Sequence, residues 1–170
     1  IFGGVTAEQL ASVCDAEGET PLHWAAQFGH LDQILGGATF EQLISVRDKE
    51  GGTPLAYAAH YCALDQIKGG VTAGQLASVR GHYGATALHA ATSYVHIRGG
   101  VTAEQLINTV AKDGVSALLT AAVAALLNQV TGGVTAGQLA AVVVPGGDGD
   151  SGLHLAAHFC ALDQIAGGAS

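Results

Sequence analysis

The sequence repeats itself about every 33 residues. Paired glycines recur at steps of 33, 33, 30, 33 and 35 residues, starting from Gly3. A Thr or Ser followed two residues later by Leu keeps the same phase in every interval. A period of this length is typical of stacked repeats, because one such unit cannot bury its apolar face alone. We therefore predict one domain, 1–170, with units at about 3–35, 36–68, 69–98, 99–131 and 132–166, and a partial unit at 167–170.

A short helix is predicted just after each glycine pair. Thr and Gln stand three residues apart there, which is the capping-box pattern that satisfies the first backbone N–H groups of a helix. The pairs are Thr6/Gln9, Thr39/Gln42, Thr72/Gln75, Thr102/Gln105 and Thr135/Gln138. The glycines end the preceding segment, because glycine adopts the left-handed cap conformation readily. A still shorter helix is predicted before them, at residues 31–34, 64–67 and 162–165.

A further helix begins at the Thr or Ser marker. Thr20 is suited to cap it, and Pro21 fits the first helical position, where no N–H is needed. Residues 20–31, TPLHWAAQFGHL, resemble the signature of the ankyrin repeat family, and residues 15–18 resemble its D-x-x-G finger turn. The motif weakens later, since Leu119 replaces its His and Gly152 replaces its Pro.

The resemblance implies an all-α fold, an α-solenoid of five ankyrin-like helical repeats. The glycine pairs interrupt the outer helix of the family, so each unit is expected to carry an extra or re-angled capped helix. The family also implies a protein-protein interaction scaffold with no catalysis. Its variable binding positions fall here on the finger turns and on the seventh and eighth residues after each Thr or Ser cap.

Those seventh and eighth residues are the main candidates for partner binding. In four units the eighth residue is aromatic, and a row of exposed rings is typical of binding hot spots. The alternative is that the rings pack between neighbouring units as core. The candidates are Gln27, Phe28, His60, Tyr61, Ser93, Tyr94, His158 and Phe159.

The finger turns supply the remaining candidates, which are Glu17, Lys49, Glu50 and Tyr83. Acidic residues concentrate in these turns, and a row of acidic tips would attract a basic partner. The alternative is a solvated edge that keeps the protein soluble.

Composition argues against several other classes of protein. The formal charge is −8 with only 6 Lys and Arg, which disfavours nucleic acid and anionic membrane surfaces as partners. Three cysteines without a C-x-x-C pair favour a reducing compartment, so we expect the cytoplasm, or the cytosol of a host after secretion.

No motif predicts catalysis, a cofactor or a metal site. His23, His89 and His154 share one motif position, and the resemblance implies that they make structural hydrogen bonds between units. His60-x-Cys62 and His158-x-Cys160 lie three units apart, so they cannot share one ion, and the thiols are expected to be buried.

The ends of the sequence suggest an alternative function. Residues 1–4 resemble the close of a unit, and residues 167–170 resemble the opening of the next one. Either the sequence is a window from a longer array, or chains stack head to tail into a filament. The alternative to a binding scaffold is therefore a self-assembling structural protein.

Overall fold

The computed structural model describes residues 4–91 and 93–167. Ten α-helices of four to seven residues occur in this part of the chain. None of the helices there is long and apolar enough to cross a membrane. The predicted partial unit 167–170 falls almost entirely outside the described residues, and so do residues 1–3 and Thr92.

Five of the helices lie between a glycine pair and the finger turn that follows it, and we call them the box helices. Each has the predicted Thr cap, with the Thr hydroxyl and the Gln side chain closing the reciprocal capping box. In the first, the Thr6 N–H donates to Gln9 Oε1 at 2.9 Å. All five predicted capping boxes are confirmed. The box helices are α1 (Ala7–Ala11), α3 (Phe40–Leu43), α5 (Ala73–Ser78), α7 (Ala103–Asn108) and α9 (Ala136–Ala141).

The other five helices begin at the Thr or Ser marker, and we call them the motif helices. They are α2 (Pro21–Gln27), α4 (Pro54–His60), α6 (Ala87–Ala90), α8 (Ala117–Val123) and α10 (Gly152–His158). Each packs against the next in order, α2 on α4, α4 on α6, α6 on α8 and α8 on α10. The mostly helical content fits a helical repeat.

One turn of 3₁₀ helix follows four of the motif helices, at Leu31–Gln33, Leu64–Gln66, Leu127–Gln129 and Leu162–Gln164. Three of these turns occupy the positions predicted for the shorter helix, and the turn at Leu127–Gln129 was not predicted. Four two-residue strands, which the sequence analysis did not predict, then lie beside the glycine pairs. Strand β1 (Ala38–Thr39) pairs in parallel with β2 (Ile67–Lys68), and β3 (Val71–Thr72) pairs with β4 (Ile97–Arg98).

The core runs along the row of helices as one apolar cluster. Equivalent leucines of successive motif helices are completely buried, and so are equivalent leucines of successive box helices. The first set is Leu22, Leu55, Leu88 and Leu118, and the second is Leu43, Leu76, Leu106 and Leu139. Each leucine is covered by its neighbours in the row, which is how short units share one core.

Candidate functional site

A cleft of about 530 Å³ lies between α2, α4 and α6 and the finger turns that precede them. Trp24, Tyr57 and Tyr61 contribute aromatic rings to its lining. Glu19 and His82 contribute polar groups from the first and third finger turns. The cleft therefore combines one carboxylate with several rings at an open surface.

The residue that α6 contributes to the cleft is smaller than its counterparts in α2 and α4. The fourth residue after the Thr cap is Trp24 in α2 and Tyr57 in α4, but it is Ala90 in α6. Gly81 and Ala85, on the adjacent finger turn, are also small and line the same space. At this position α6 therefore presents only a methyl group where α2 and α4 present aromatic rings.

Exposed rings surround this opening. Trp24 and Tyr61 are each 46 % exposed. Phe28 stacks on Trp24 with the ring centroids 5.9 Å apart, and it is more exposed than either. Gln27 Nε2 lies 3.5 Å from the Tyr61 hydroxyl, which joins the two motif helices across the patch. We call Trp24, Gln27, Phe28 and Tyr61 the aromatic patch.

Tyr57 links two finger turns below the patch. Its hydroxyl lies 2.6 Å from Glu19 Oε1 and 3.1 Å from Asp48 Oδ2. A phenol has one hydrogen to donate, so two carboxylates share one donor here. Burial and both carboxylates raise the pKa of Tyr57, which therefore stays protonated and holds Glu19 in place.

Asp48 completes the network. Its side chain is almost completely buried, and Oδ2 lies 2.8 Å from His82 Nε2. Burial raises the pKa of Asp48, but hydrogen bonds from His82, from the Gly52 N–H and from Tyr57 outweigh it, so the pKa lies below its ordinary value. Glu50, a predicted site residue, stands 3.6 Å from His82 Nδ1. The second and third finger turns are thus joined by carboxylate–imidazole contacts.

One acidic side chain of the first finger turn, that of Asp15, has a structural role. Asp15 Oδ1 accepts hydrogen bonds from the N–H groups of Glu17 and Glu19 at 2.9 and 3.0 Å. Neighbouring fingers also bond to each other, since the Lys49 N–H donates to the Glu17 carbonyl at 3.0 Å. The side chains of Glu17 and Lys49 are exposed at this edge and do not line the cleft.

Tyr94 does not join the row of exposed rings. It is 2 % exposed, and burial raises its pKa. Its N–H donates to Gln129 Oε1 at 2.7 Å, as the Leu31 N–H donates to Gln66 at 2.9 Å. Since the third unit is three residues shorter, Tyr94 occupies the position of the buried leucine of the 3₁₀ turn. The expectation of an exposed ring is therefore wrong for Tyr94, and the core alternative is correct.

The remaining predicted residues do not meet in one place. Ser93 is half-buried and its hydroxyl lies 3.3 Å from Gln129 Oε1. His158 and Phe159 are exposed, and their rings meet edge to face with centroids 4.8 Å apart. Helices α6 and α8 lie between them and Tyr61. Tyr83 projects from the third finger turn and is also exposed. His60 and Tyr61 line the cleft, whereas these four residues do not.

Of the residues that line the cleft, only Gln27, His60 and Tyr61 were predicted from the sequence, and Trp24, Tyr57 and Glu19 are among those missed. Trp24 and Tyr57 stand four residues before Phe28 and Tyr61, which places each pair on one helix face. That spacing was a signal that sequence reasoning could have used. Glu19 gave no such signal, because the sequence does not show that a finger carboxylate of one unit faces a tyrosine of the next.

The motif histidines are structural where a following unit covers them. His23 Nδ1 accepts the Thr20 N–H at 3.0 Å, and Nε2 lies 3.4 Å from the Gly52 carbonyl in the next finger. His89 makes the same contacts with Thr86 and with the Val115 carbonyl. Their structural interpretation is confirmed by these bonds.

Two cysteines differ from expectation. Cys62 and Cys160 are exposed rather than buried. They take the place of Gly29 after their motif helices, and all three residues have φ between +56° and +67°. No group of three or more metal-ligating side chains occurs within 4–91 and 93–167.

A comparison with known protein families matches part of the first unit. Residues 17–35 match the family model of the ankyrin repeat. This match covers the end of the first finger turn, all of α2 and the 3₁₀ turn after it. No curated protein matches the chain. The chain thus carries, at residues 17–35, a segment similar to the ankyrin repeat.

Proposed function

We propose that the chain is a stack of five ankyrin-like units that binds a protein partner through the cleft and the aromatic patch. The units would run at about 3–35, 36–68, 69–98, 99–131 and 132–166. Ankyrin repeats generally mediate protein–protein interactions. The proposed role needs no catalysis and no cofactor.

The observation that carries this proposal is the exposure of large rings around a concave opening. Trp24, Phe28 and Tyr61 are held on two successive helices that pack against each other. Rigid rings bury a large area on binding and lose little conformational freedom, so they often dominate interfaces. The acidic finger turns beside them favour a basic partner through electrostatic steering.

Selection of peptides from a displayed random library tests the proposal. We expect selected peptides to lose binding to Ala90→Trp, because the new ring would fill the cleft as Trp24 and Tyr57 fill their own positions. Thr120→Trp is the matched control, since Thr120 holds the same motif position in α8, outside the cleft. Tyr61→Ser removes a ring of the patch without adding volume. Peptides that bind all three variants as tightly as the unchanged protein would contradict the proposed site.

A second function, head-to-tail self-assembly, is supported by the two end faces. Val5 is 48 % exposed although its counterparts Val71, Val101 and Val134 are buried. Leu162 is 50 % exposed, whereas Leu31, Leu64 and Leu127 are buried. Head-to-tail contacts between chains would cover the apolar residues at the two ends of the described row and would extend into an open-ended stack.

Light scattering as a function of concentration tests self-assembly. Stacking predicts a mass that grows with concentration, and Leu162→Glu should abolish the growth by placing a charge in the contact. Asp163→Glu is a control on the adjacent exposed residue. A constant monomer mass over the whole range would exclude stacking of this chain.

A further inference from the structure

We propose that the cleft receives an arginine side chain of the partner, stacked against Trp24 and paired with Glu19. This inference rests on the proposed function, since it takes the cleft as the docking site. It adds the chemical identity of the group that docks there.

Glu19 is a fixed carboxylate with acceptor capacity left. Among the described residues, only Tyr57 donates to its side chain, and that bond engages Oε1. Asp48 competes for the same phenol hydrogen, yet Asp48 also has His82 and backbone N–H groups as donors. Glu19 therefore has acceptor capacity at the cleft that a charge-assisted hydrogen bond would satisfy.

Within the described part of the chain, no lysine or arginine lines the cleft. The two arginines of the nearby finger turns are engaged elsewhere. Arg47 Nη1 donates to the Gly51 carbonyl at 2.8 Å, and Arg80 donates to the Gly84 and Val110 carbonyls at 2.7 and 3.3 Å. Among the described residues that line the cleft, the ionisable bases are thus His60 and His82, and His82 faces Asp48 and Glu50.

Two exposed rings line the same cleft as Glu19. Trp24 and Tyr61 present half-exposed rings, and indole is the best aromatic partner for a cation. A guanidinium is planar and weakly hydrated, so it stacks on a ring and pairs with a carboxylate at the same time. An ammonium lacks the planar face. The volume of about 530 Å³ exceeds one side chain, so flanking residues of the partner fit as well.

The chain contains one tryptophan, so its indole N–H signal in an NMR spectrum reports on the cleft without ambiguity. The probe is a capped alanine–arginine–alanine tripeptide. Its matched control replaces arginine by citrulline, which has the same shape without the charge. We expect a saturable shift of the Trp24 indole signal with the arginine peptide, and binding about tenfold weaker with the citrulline peptide.

Variants assign the binding to Glu19. Glu19→Gln retains an oxygen for the Tyr57 hydroxyl and should weaken the arginine peptide about tenfold. Glu41→Gln removes an exposed charge from α3 and should leave the affinity unchanged. Thermal unfolding of both variants verifies that the fold persists.

Several results would overturn the inference. They are no indole shift, equal binding of the citrulline peptide, tighter binding of a lysine tripeptide, or unchanged affinity in Glu19→Gln. The two proposals fail separately. Selected peptides that are sensitive to Ala90→Trp but require no arginine would support the proposed docking site and overturn the proposed arginine contact. Selected peptides that are insensitive to Ala90→Trp would remove the docking site itself.

Discussion

The turn after the motif helices provides a direct test of backbone strain. After α2, α4, α8 and α10 the second residue beyond the helix lies in the left-handed region, and it is Gly29, Cys62, Ala125 and Cys160 in turn. The next N–H closes the turn, as when the His30 N–H donates to the Ala25 carbonyl at 2.8 Å. Only the first of the four is the glycine that such a turn favours.

The expected magnitudes follow from this geometry. A residue with a Cβ in the left-handed conformation destabilises the fold by about 1–2 kcal/mol. Replacing it by glycine removes this strain, but the larger entropy of glycine in the unfolded chain offsets about 0.5–1 kcal/mol of the gain. Cys160 is exposed, so its removal loses little packing. Cys160→Gly should therefore raise the free energy of unfolding by about 0.5–1 kcal/mol. Gly29→Ala should lower it by about the same amount, since an added Cβ would meet only Gln66 Nε2, at 3.4 Å.

Urea unfolding under reducing conditions measures both effects, with the midpoint and the slope fitted separately. Cys160→Ala is the control, because it removes the thiol and keeps the Cβ, and it should leave the stability nearly unchanged. In thermal unfolding the expected shifts are about 2–4 °C for each kcal/mol. A Cys160→Gly protein that is no more stable than Cys160→Ala would refute the strain argument.

Three further predictions concern the core and its histidines. Leu64→Ala should cost about 2–5 kcal/mol by leaving a cavity, whereas Leu162→Ala, half-exposed in the same motif position, should cost much less in urea unfolding. Tyr94→Leu should be tolerated to within about 1.5 kcal/mol because it restores the residue of the equivalent turns, and a larger loss would contradict the shifted alignment. Burial lowers the pKa of His23 and His89 despite hydrogen bonds to carbonyls, so both imidazoles take up protons on unfolding. The free energy of unfolding should therefore fall as the pH drops below their ordinary pKa of 6.5, and a flat or rising profile there would exclude this linkage.

Features that depend on contacts a few residues apart could be predicted from the sequence. The five capping boxes join groups only three residues apart, and the Thr20–His23 contact has the same spacing. Such contacts need only the local helix start to form, so the residue pattern suffices. The two small parallel sheets were missed. Each strand has only two residues, too few for a sequence pattern, and β1 pairs with β2 across 29 positions of the chain.

Tyr94 shows why counting along a repeat has a limit. Counted forward from Thr86 it corresponds to the exposed Phe28, and counted back from Ile97 it corresponds to the buried Leu31. Both registers are valid in the sequence. The structure follows the second, because Ile97 pairs with Val71 in a strand register that fixes the end of the unit and draws Tyr94 into the core.

By itself the sequence determined the period, which appears when the units are aligned, and the helix starts, because each capping box lies within one unit. Only the tertiary structure decided which rings are exposed and that a cleft opens beside Ala90. The cleft joins Glu19, Tyr57 and His82 from three successive units. Its shape depends on how neighbouring helices and finger turns stack, and no single unit contains that information.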